Sequence, residues 1–232
     1  MNETMLPLRD RVQAGRALGA ALRTYRGRHD VLVLALPRGG VPVACEVADA
    51  LGAEVDLMIV RKLGTPGQEE LAMGAIASGG VRVLNRDVIE SLQISERAIA
   101  EVERRERGEI ERREHAYRGQ RPRPAVAGQC VILVDDGVAT GATMRAAIAA
   151  LRQQKPAKVV VAVPVAPLDT VEVLRSEADE VECLATPEPF RAIGCWYVEF
   201  PQLSDEEVRT RLSRSWGAEA ATAAAVPEKD RA

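Results

Sequence analysis

The sequence predicts an α/β fold, a doubly wound and mainly parallel sheet of five or six strands flanked by helices. Short apolar runs such as Val31–Leu36 and Val131–Val134 are typical of strands that are buried on both faces. Helical patterns alternate with these runs, as in sheets with crossover helices. With 232 residues, 47% of them hydrophobic, the chain can bury one core, and we expect one domain over residues 1–216 and a disordered tail over 217–232.

Each element follows from these patterns in chain order. A leading helix is expected over residues 6–27, before the strand Val31–Leu36. The later elements are expected to be helix Val41–Leu51, strand Glu54–Val60, one or two strands in Ala75–Leu84, strand Val131–Val134, helix Met144–Gln153, strand Lys158–Val163, a short helix Leu168–Arg175 and strand Glu180–Leu184. Ligands of such sheets bind beyond the carboxyl ends of the strands, so the loops there are the candidate site.

Residues 86–125 form a predicted helical insertion rich in Glu and Arg. Ser95 is a favourable N-cap, and Gly119 is placed to end the helix. Glu→Arg pairs at 101/105, 103/107, 109/113 and 114/118 support the helix, but its apolar stripe is thin. We therefore expect it to project or to lie shallowly over the body, as the arm of a homodimer, as a cap over the site, or as a merely solvated face.

Composition excludes several classes of function. The net charge of −3 gives no basic field that would attract nucleic acid. No apolar run reaches the ~18 residues of a membrane span and no signal peptide is recognisable, so we expect a cytoplasmic protein without a membrane partner. The four cysteines lack paired spacing and are expected to be reduced, and His29 and His115 do not suggest a metal site.

The stretch Val131–Thr143 carries the clearest functional signal. Its strand ends in two adjacent acids, Asp135 and Asp136, and a small, hydroxyl-bearing turn leads from them into a helix. Unpaired backbone N–H groups and the helix dipole make such a helix start an anion site. Two carboxylates beside a phosphate suit vicinal sugar hydroxyls or a divalent metal. One ligand that carries a phosphate next to a diol is a ribose 5-phosphate.

This stretch, VILVDDGVATGAT, resembles the signature of the type I phosphoribosyltransferases. The resemblance implies that the loop holds the 5-phosphate of phosphoribosyl pyrophosphate (PRPP), and that Asp135 and Asp136 orient the ribose and bind Mg²⁺, partly through ligand or water. The residues so assigned to the 5-phosphate are Gly137, Val138, Ala139, Thr140, Gly141, Ala142 and Thr143. The alternative is an ordinary strand–turn–helix unit with two solvated acids.

The loop after the first predicted strand contains Arg38, Gly39 and Gly40. Paired glycines let backbone amides approach a large anion, and Arg38 supplies a bidentate cation. The resemblance identifies this loop as the pyrophosphate loop, which carries a cis non-proline peptide in the family. Without the resemblance, it would be a plain glycine turn between strand and helix.

A second loop, residues 61–74, has the composition of a hinged lid. Arg61 and Lys62 begin it, and its glycines and Pro66 are expected to break up regular structure. In the family a flexible loop closes over PRPP and places a cation on the leaving pyrophosphate. Lys62, together with Arg61, best fits that catalytic role, and the alternative is a solvated surface pair.

Residues 190–212 contain four of the few aromatic side chains, and we expect a small hood either here or at the N-terminal helix. In the family a variable hood grips the nucleobase, often by stacking, so Trp196 and Tyr197 are candidate stacking platforms. Clustered aromatics are more often simply core. Ser204 and Glu207 predict a capping box for a short last helix.

The resemblance implies a PRPP-dependent transfer of ribose 5-phosphate to a nitrogenous base or amine, with release of pyrophosphate. Relatives that salvage 6-oxopurines have a third acid within the phosphate loop, and Ala139 stands at that position here. This difference argues against hypoxanthine and guanine, and leaves uracil, adenine, orotate, a non-standard base or an amine. The alternative function is a regulatory module that binds PRPP or a nucleotide without transfer.

Overall fold

The computed structural model describes residues 6–225, apart from the side chains of residues 70 and 218–225. Two short 3₁₀ turns, Arg23–Tyr25 and Ile193–Trp196, accompany the regular elements. In chain order these are α1 (Arg11–Ala21), β1 (Val31–Ala35), α2 (Gly40–Leu51), β2 (Glu54–Leu57), β3 (Val60–Thr65), β4 (Gln68–Ala77), β5 (Val81–Leu84), α3 (Arg86–Ser91), α4 (Glu96–Arg118), β6 (Cys130–Val134), α5 (Ala142–Gln153), β7 (Lys158–Val165), α6 (Leu168–Glu177), β8 (Glu180–Ala185) and α7 (Asp205–Ala225).

Five of the strands form a parallel sheet in the order β2-β1-β6-β7-β8, which confirms the predicted α/β fold. Alternate residues of each strand face opposite sides of the sheet. Val33 and Ile132 pack in one core with α1, α2 and α7, whereas Leu34 and Leu133 pack in a second core with α5 and α6. Both faces are therefore covered, which explains why the central strands are wholly apolar.

The register of the central strands places three loops at one edge of the sheet. Ala35 at the end of β1 is paired with Leu57 at the end of β2 and with Val134 at the end of β6. The loop into α2, the connection to β3 and the loop into α5 consequently leave the sheet side by side. This edge is the one at which ligands of doubly wound sheets bind.

The segment predicted to be a hinged loop is a β-hairpin. β3 and β4 pair antiparallel, and β5 completes a separate three-stranded sheet. Pro66 and Gly67 form the turn, and Gly67 has the positive φ of +78° that the third position of a type II turn requires. The prediction that the glycines and proline prevent regular structure was wrong, as was the placement of Ala75–Leu84 in the main sheet.

The predicted insertion consists of α3 and the long helix α4. Ser95 caps α4 by accepting a hydrogen bond from the Ala98 N–H, and Gly119 ends it, as predicted. Instead of projecting, α4 packs against β3 and α7 and buries Ile99, Ile110 and Tyr117. The expectation of a projecting or shallow helix was wrong because this stripe, although thin, is continuous with the main core.

Only some of the expected ion pairs on α4 form. The 103/107 and 109/113 pairs are present. Arg118 instead turns into the body, where it pairs with the fully buried Asp56 of β2. The partners expected at 101/105 and 114/118 bind other residues, because Arg105 pairs with Glu106 and Glu114 with Arg123.

The two ends of the chain differ from expectation. The leading helix is shorter than predicted, because residues 6–10 instead run beside the hood, where Leu8 forms a parallel bridge with Tyr197. The last helix is longer than predicted: α7 continues to Ala225, as its alanine-rich sequence favours, so residues 217–225 are helical rather than disordered. Residues 226–232 of the expected tail lie outside the described residues.

Two further observations concern the chain as a whole. None of the helices within residues 6–225 is both long enough and apolar enough to cross a membrane. Cys45, Cys130, Cys183 and Cys195 are free thiols, as predicted.

Candidate active site

The predicted phosphate loop connects β6 to α5 at the carboxyl edge of the sheet. Gly141 precedes the first turn of α5 with a φ of +76°, in the left-handed region that favours glycine. Thr140, Ala142 and Thr143 are exposed, so two hydroxyl-bearing residues and the start of the helix are accessible to a ligand. Val138 is different, because it is buried and its N–H donates to the Val165 carbonyl oxygen at 2.9 Å. Val138 therefore anchors the loop.

Thr170 braces this loop from α6. Its Oγ1 donates a hydrogen bond of 2.8 Å to the carbonyl oxygen of Ala139. A Cβ added at Gly141 would lie 3.1 Å from the Thr170 methyl carbon, so the two residues are in close contact. Thr170 lies outside the motif, although its place in the first turn after the next strand, β7, is a signal that could have identified it.

The acid pair is enclosed, and its two members have different partners. The Nε of Arg11, on α1, lies 2.7 Å from the Asp136 Oδ2, and this ion pair is nearly inaccessible to solvent. Asp135 is half-buried, and its Oδ1 accepts the Asp136 N–H at 2.8 Å. Burial raises the pKa of Asp135 well above its ordinary value, and the adjacent Asp136 adds to the effect. Burial also raises the pKa of Asp136, although Arg11 favours its charged form and opposes the rise.

The predicted pyrophosphate loop lies directly against the acid pair. The Pro37–Arg38 peptide bond is cis, as the family resemblance implied. A Cβ at Gly39 would lie 2.1 Å from the Asp136 Oδ2, and one at Gly40 would lie 2.6 Å from the Val134 carbonyl oxygen. Both glycines are therefore required by close approach. Arg38 is half-exposed, and its Nη1 lies 3.8 Å from the Asp205 carboxylate at the start of α7.

The two cations of the predicted lid lie on β3 of the hairpin. They are adjacent along the strand, so their side chains point to opposite faces. Arg61 pairs with Glu106 of α4 at 2.8 Å, which joins the hairpin to the insertion and not to the acid pair. Lys62 is exposed. Only one of the two can face a ligand; because Arg61 points toward Glu106 of α4, Lys62 points to the opposite face of the hairpin.

The hood contains the two predicted stacking platforms. Tyr197 is only 6% exposed, its ring stacks on Phe200 at a centroid distance of 4.9 Å, and its hydroxyl donates to the Asp136 carbonyl oxygen. The prediction that Tyr197 stacks on a base was therefore wrong, because its ring is part of the core. Burial raises the pKa of Tyr197. Trp196 is half-buried beside Phe190, and its stacking role stays a prediction. The Ser204–Glu207 capping box is present.

The chain is similar to known proteins over most of its length. Residues 3–195 match the family model described as "Phosphoribosyl transferase domain". The chain is 48% identical over 206 residues to Rv0571c and to MT0597 of Mycobacterium tuberculosis, strains H37Rv and CDC 1551, whose names class them provisionally as phosphoribosyl transferases. The match covers 89% of this chain but 46% of each relative, so the chain spans about half their length.

A solved structure is also similar over most of the chain. It is TT1426 from Thermus thermophilus, with 43% sequence identity and a TM-score of 0.80. The match covers 89% of this chain and 98% of that protein. The described fold is therefore shared with TT1426 over nearly its whole length.

Proposed function

Because this chain belongs to the phosphoribosyltransferase family, we propose that it binds PRPP at the carboxyl edge of its sheet and transfers ribose 5-phosphate to a nitrogenous base or amine. One observation carries the proposal. The helix start after Gly141, the acid pair and the Gly39–Gly40 loop adjoin one another in the order of the three parts of PRPP, which are the 5-phosphate, the ribose diol and the pyrophosphate. Each protein group suits the part it would meet.

The proposed reaction breaks the bond between C1 of the ribose and the pyrophosphate oxygen. The electron pair of that bond leaves with pyrophosphate, a ring nitrogen or amine of the acceptor forms the new bond to C1, and the acceptor's proton is released to pyrophosphate or water. The start of α5 holds the 5-phosphate, while Arg38 and Lys62 face the charge that develops on the leaving group. The protein acts by positioning and by neutralising charge, and it forms no covalent intermediate.

A magnesium ion fits this site only if the ligand supplies most of its oxygens. Among the described residues, no cluster of three or more His, Cys, Asp or Glu side chains is arranged to hold a metal. Mg²⁺ commonly binds through one or two carboxylates, waters and substrate phosphates, and the acid pair supplies such carboxylates. When bound with PRPP, the ion would neutralise charge on the pyrophosphate.

The acceptor is an open part of the proposal. Ala139 replaces the third acid of the 6-oxopurine enzymes, and its carbonyl oxygen is already bonded to Thr170. This arrangement supports acceptors other than hypoxanthine and guanine. Trp196 is the aromatic side chain that we propose to contact the base.

A second candidate is a regulatory module that binds PRPP without transfer. The observation in its favour is that both Arg38 and Arg61 have a protein carboxylate nearby, Asp205 and Glu106 respectively. A transferase in which Arg38 meets the leaving group must first release Arg38 from Asp205, whereas a binding module has no such need.

The test is release of pyrophosphate from PRPP and Mg²⁺ in the presence of uracil, adenine, orotate, hypoxanthine, guanine and a series of amines. We expect release with one acceptor class and little with hypoxanthine or guanine. PRPP binding without release across the whole panel would favour the regulatory module. Absence of PRPP binding would reject both candidates.

A further inference from the structure

Asp136 is buried and its carboxylate contacts several protein groups, whereas Asp135 is only half-buried. Its side chain is 10% exposed, and Arg11 lies at 2.7 Å from its Oδ2. The position of a Cβ at Gly39 would be 2.1 Å and 2.8 Å from the two carboxylate oxygens of Asp136, so both oxygens also face the pyrophosphate loop. Little of this carboxylate is left to meet a sugar.

The guanidinium of Arg11 is also fully engaged. Its Nη1 donates to the Pro201 carbonyl oxygen at 2.8 Å, and its Cζ lies 3.8 Å from the centre of the Phe200 ring. Arg11 as a whole is 8% exposed. The cation therefore has no open face for a phosphate, and its contacts join Asp136 to the hood.

The backbone of Asp136 is tied to the same segment. The Tyr197 hydroxyl donates to the Asp136 carbonyl oxygen at 2.7 Å, and Tyr197 stacks on Phe200. The main chain of Asp136 thus contacts the hood directly, and its side chain is linked to the hood through Arg11. A displacement of the hood would disturb both contacts.

Asp135 has the opposite character. It is half-buried, one of its oxygens accepts the Asp136 N–H, and no cation of the described chain lies within ion-pair distance of it. Of the two acids, Asp135 is therefore the more accessible and the better placed to accept a hydroxyl hydrogen.

We propose that the two acids have separate roles. Asp135 meets the ribose hydroxyls, whereas Asp136 is a positioning residue, fixed by Arg11 between the phosphate loop, the pyrophosphate loop and the hood. This inference rests on the proposed function and deepens it, because it names the carboxylate that contacts the sugar and adds Arg11 to the site.

The test compares PRPP affinity, measured with Mg²⁺ well below the melting temperature of every variant. Asp135→Asn should weaken binding about a hundredfold, since it removes a charged contact. Arg11→Met and Asp136→Asn should each weaken it about tenfold, and the Arg11→Met/Asp136→Asn double variant no more than either alone, because both remove one shared interaction. Arg11→Lys keeps the positive charge, so its affinity should stay within about threefold of that of the wild type if the cation is what positions Asp136.

Arg16→Met is the matched control, because Arg16 lies on the same helix, its side chain is 69% exposed, and it pairs with Glu46 at the surface. It should bind PRPP like the wild type. The inference would be overturned if Asp136→Asn lost as much affinity as Asp135→Asn and the loss multiplied with that of Arg11→Met, as for a direct ligand. It would also be overturned if Arg11→Met lowered the melting temperature without changing affinity. A wild-type protein that does not bind PRPP would instead reject the proposed function.

Discussion

Thr170 and Ala139 are joined by a hydrogen bond of 2.8 Å between the Thr170 hydroxyl and the Ala139 carbonyl oxygen. This bond fixes the phosphate loop to α6, an element that follows a different strand of the sheet. The shape of the loop therefore depends on a residue outside the recognisable motif.

Replacing Thr170 with Val removes the hydroxyl and keeps the shape. We expect the unfolding free energy to fall by about 1 kcal/mol, the usual contribution of one such bond. PRPP affinity should fall by about tenfold, because the loop loses its brace. Ser176→Ala, on the exposed side of the same helix, is the control. Unchanged PRPP affinity in Thr170→Val, measured by calorimetry, would show that the loop needs no support from α6.

Gly39 provides a purely steric test of the pyrophosphate loop. Its φ of −59° is accessible to any residue, so Gly39→Ala adds no backbone strain. The new Cβ would nevertheless lie 2.1 Å from the Asp136 Oδ2 and must displace a buried, ion-paired carboxylate. We expect PRPP affinity to fall by at least about tenfold.

Gly108→Ala is the matched control, since Gly108 lies within α4 and nothing stands within 4 Å of the added Cβ. It should raise the unfolding free energy by about 0.5–1 kcal/mol. If Gly39→Ala bound PRPP as tightly as Gly108→Ala, the pyrophosphate loop would be able to accommodate the added Cβ without loss of binding.

The raised pKa of Asp135 predicts a pH dependence of stability. Burial and Asp136 raise this pKa above its ordinary value, so the stability that Asp135 contributes is fully present in acid and is lost as pH rises through the folded-state pKa. Asp135→Asn has no carboxyl group to ionise at this position, so it does not lose this stability as pH rises. Its melting temperature should equal that of the wild type in acid and exceed it increasingly as pH approaches neutrality.

Asp30 is a control with the opposite sign. A hydrogen bond from Arg28 lowers its pKa, so Asp30→Asn should not become more stable than the wild type as pH rises. If the melting temperature of Asp135→Asn exceeded that of the wild type equally at every pH, ionisation of Asp135 would not be the cause.

The hairpin predicts unequal roles for its two cations. Lys62→Met should lower pyrophosphate release at least about tenfold with the acceptor that the panel identifies. Arg61→Met should lower it by less than about threefold, because Arg61 is held by Glu106. Larger losses for Arg61→Met than for Lys62→Met, in the same steady-state assay, would reverse the assignment.

The central strands and the turn between β6 and α5 could be predicted because their signals are local. The apolar strand β6, the two acids and the turn lie within Val131–Thr143. The β3–β4 hairpin was not predicted because Pro66 and Gly67 suggest a break in regular structure, whereas this pair also forms the tight turn of a hairpin.

The partners of the acid pair could not be predicted from any local pattern. Arg11 and Asp136 are 125 residues apart in sequence, and Tyr197 is 61 residues from Asp136. Such contacts depend on how α1 and the hood pack on the finished sheet. For the same reason the sequence left open whether Tyr197 is a core residue or a stacking platform.

The most direct test of the central claim is calorimetric titration of PRPP with Mg²⁺ into the wild type, Gly141→Val and Gly128→Val. Gly141 and Gly128 share a φ of +76°, so valine strains the backbone equally at both, but Gly128 lies before β6, at the opposite edge of the sheet. We predict that the wild type and Gly128→Val bind PRPP, and that Gly141→Val loses at least about a hundredfold in affinity while remaining folded. Equal affinity in both variants, or no binding by the wild type, would contradict the assignment of the PRPP site.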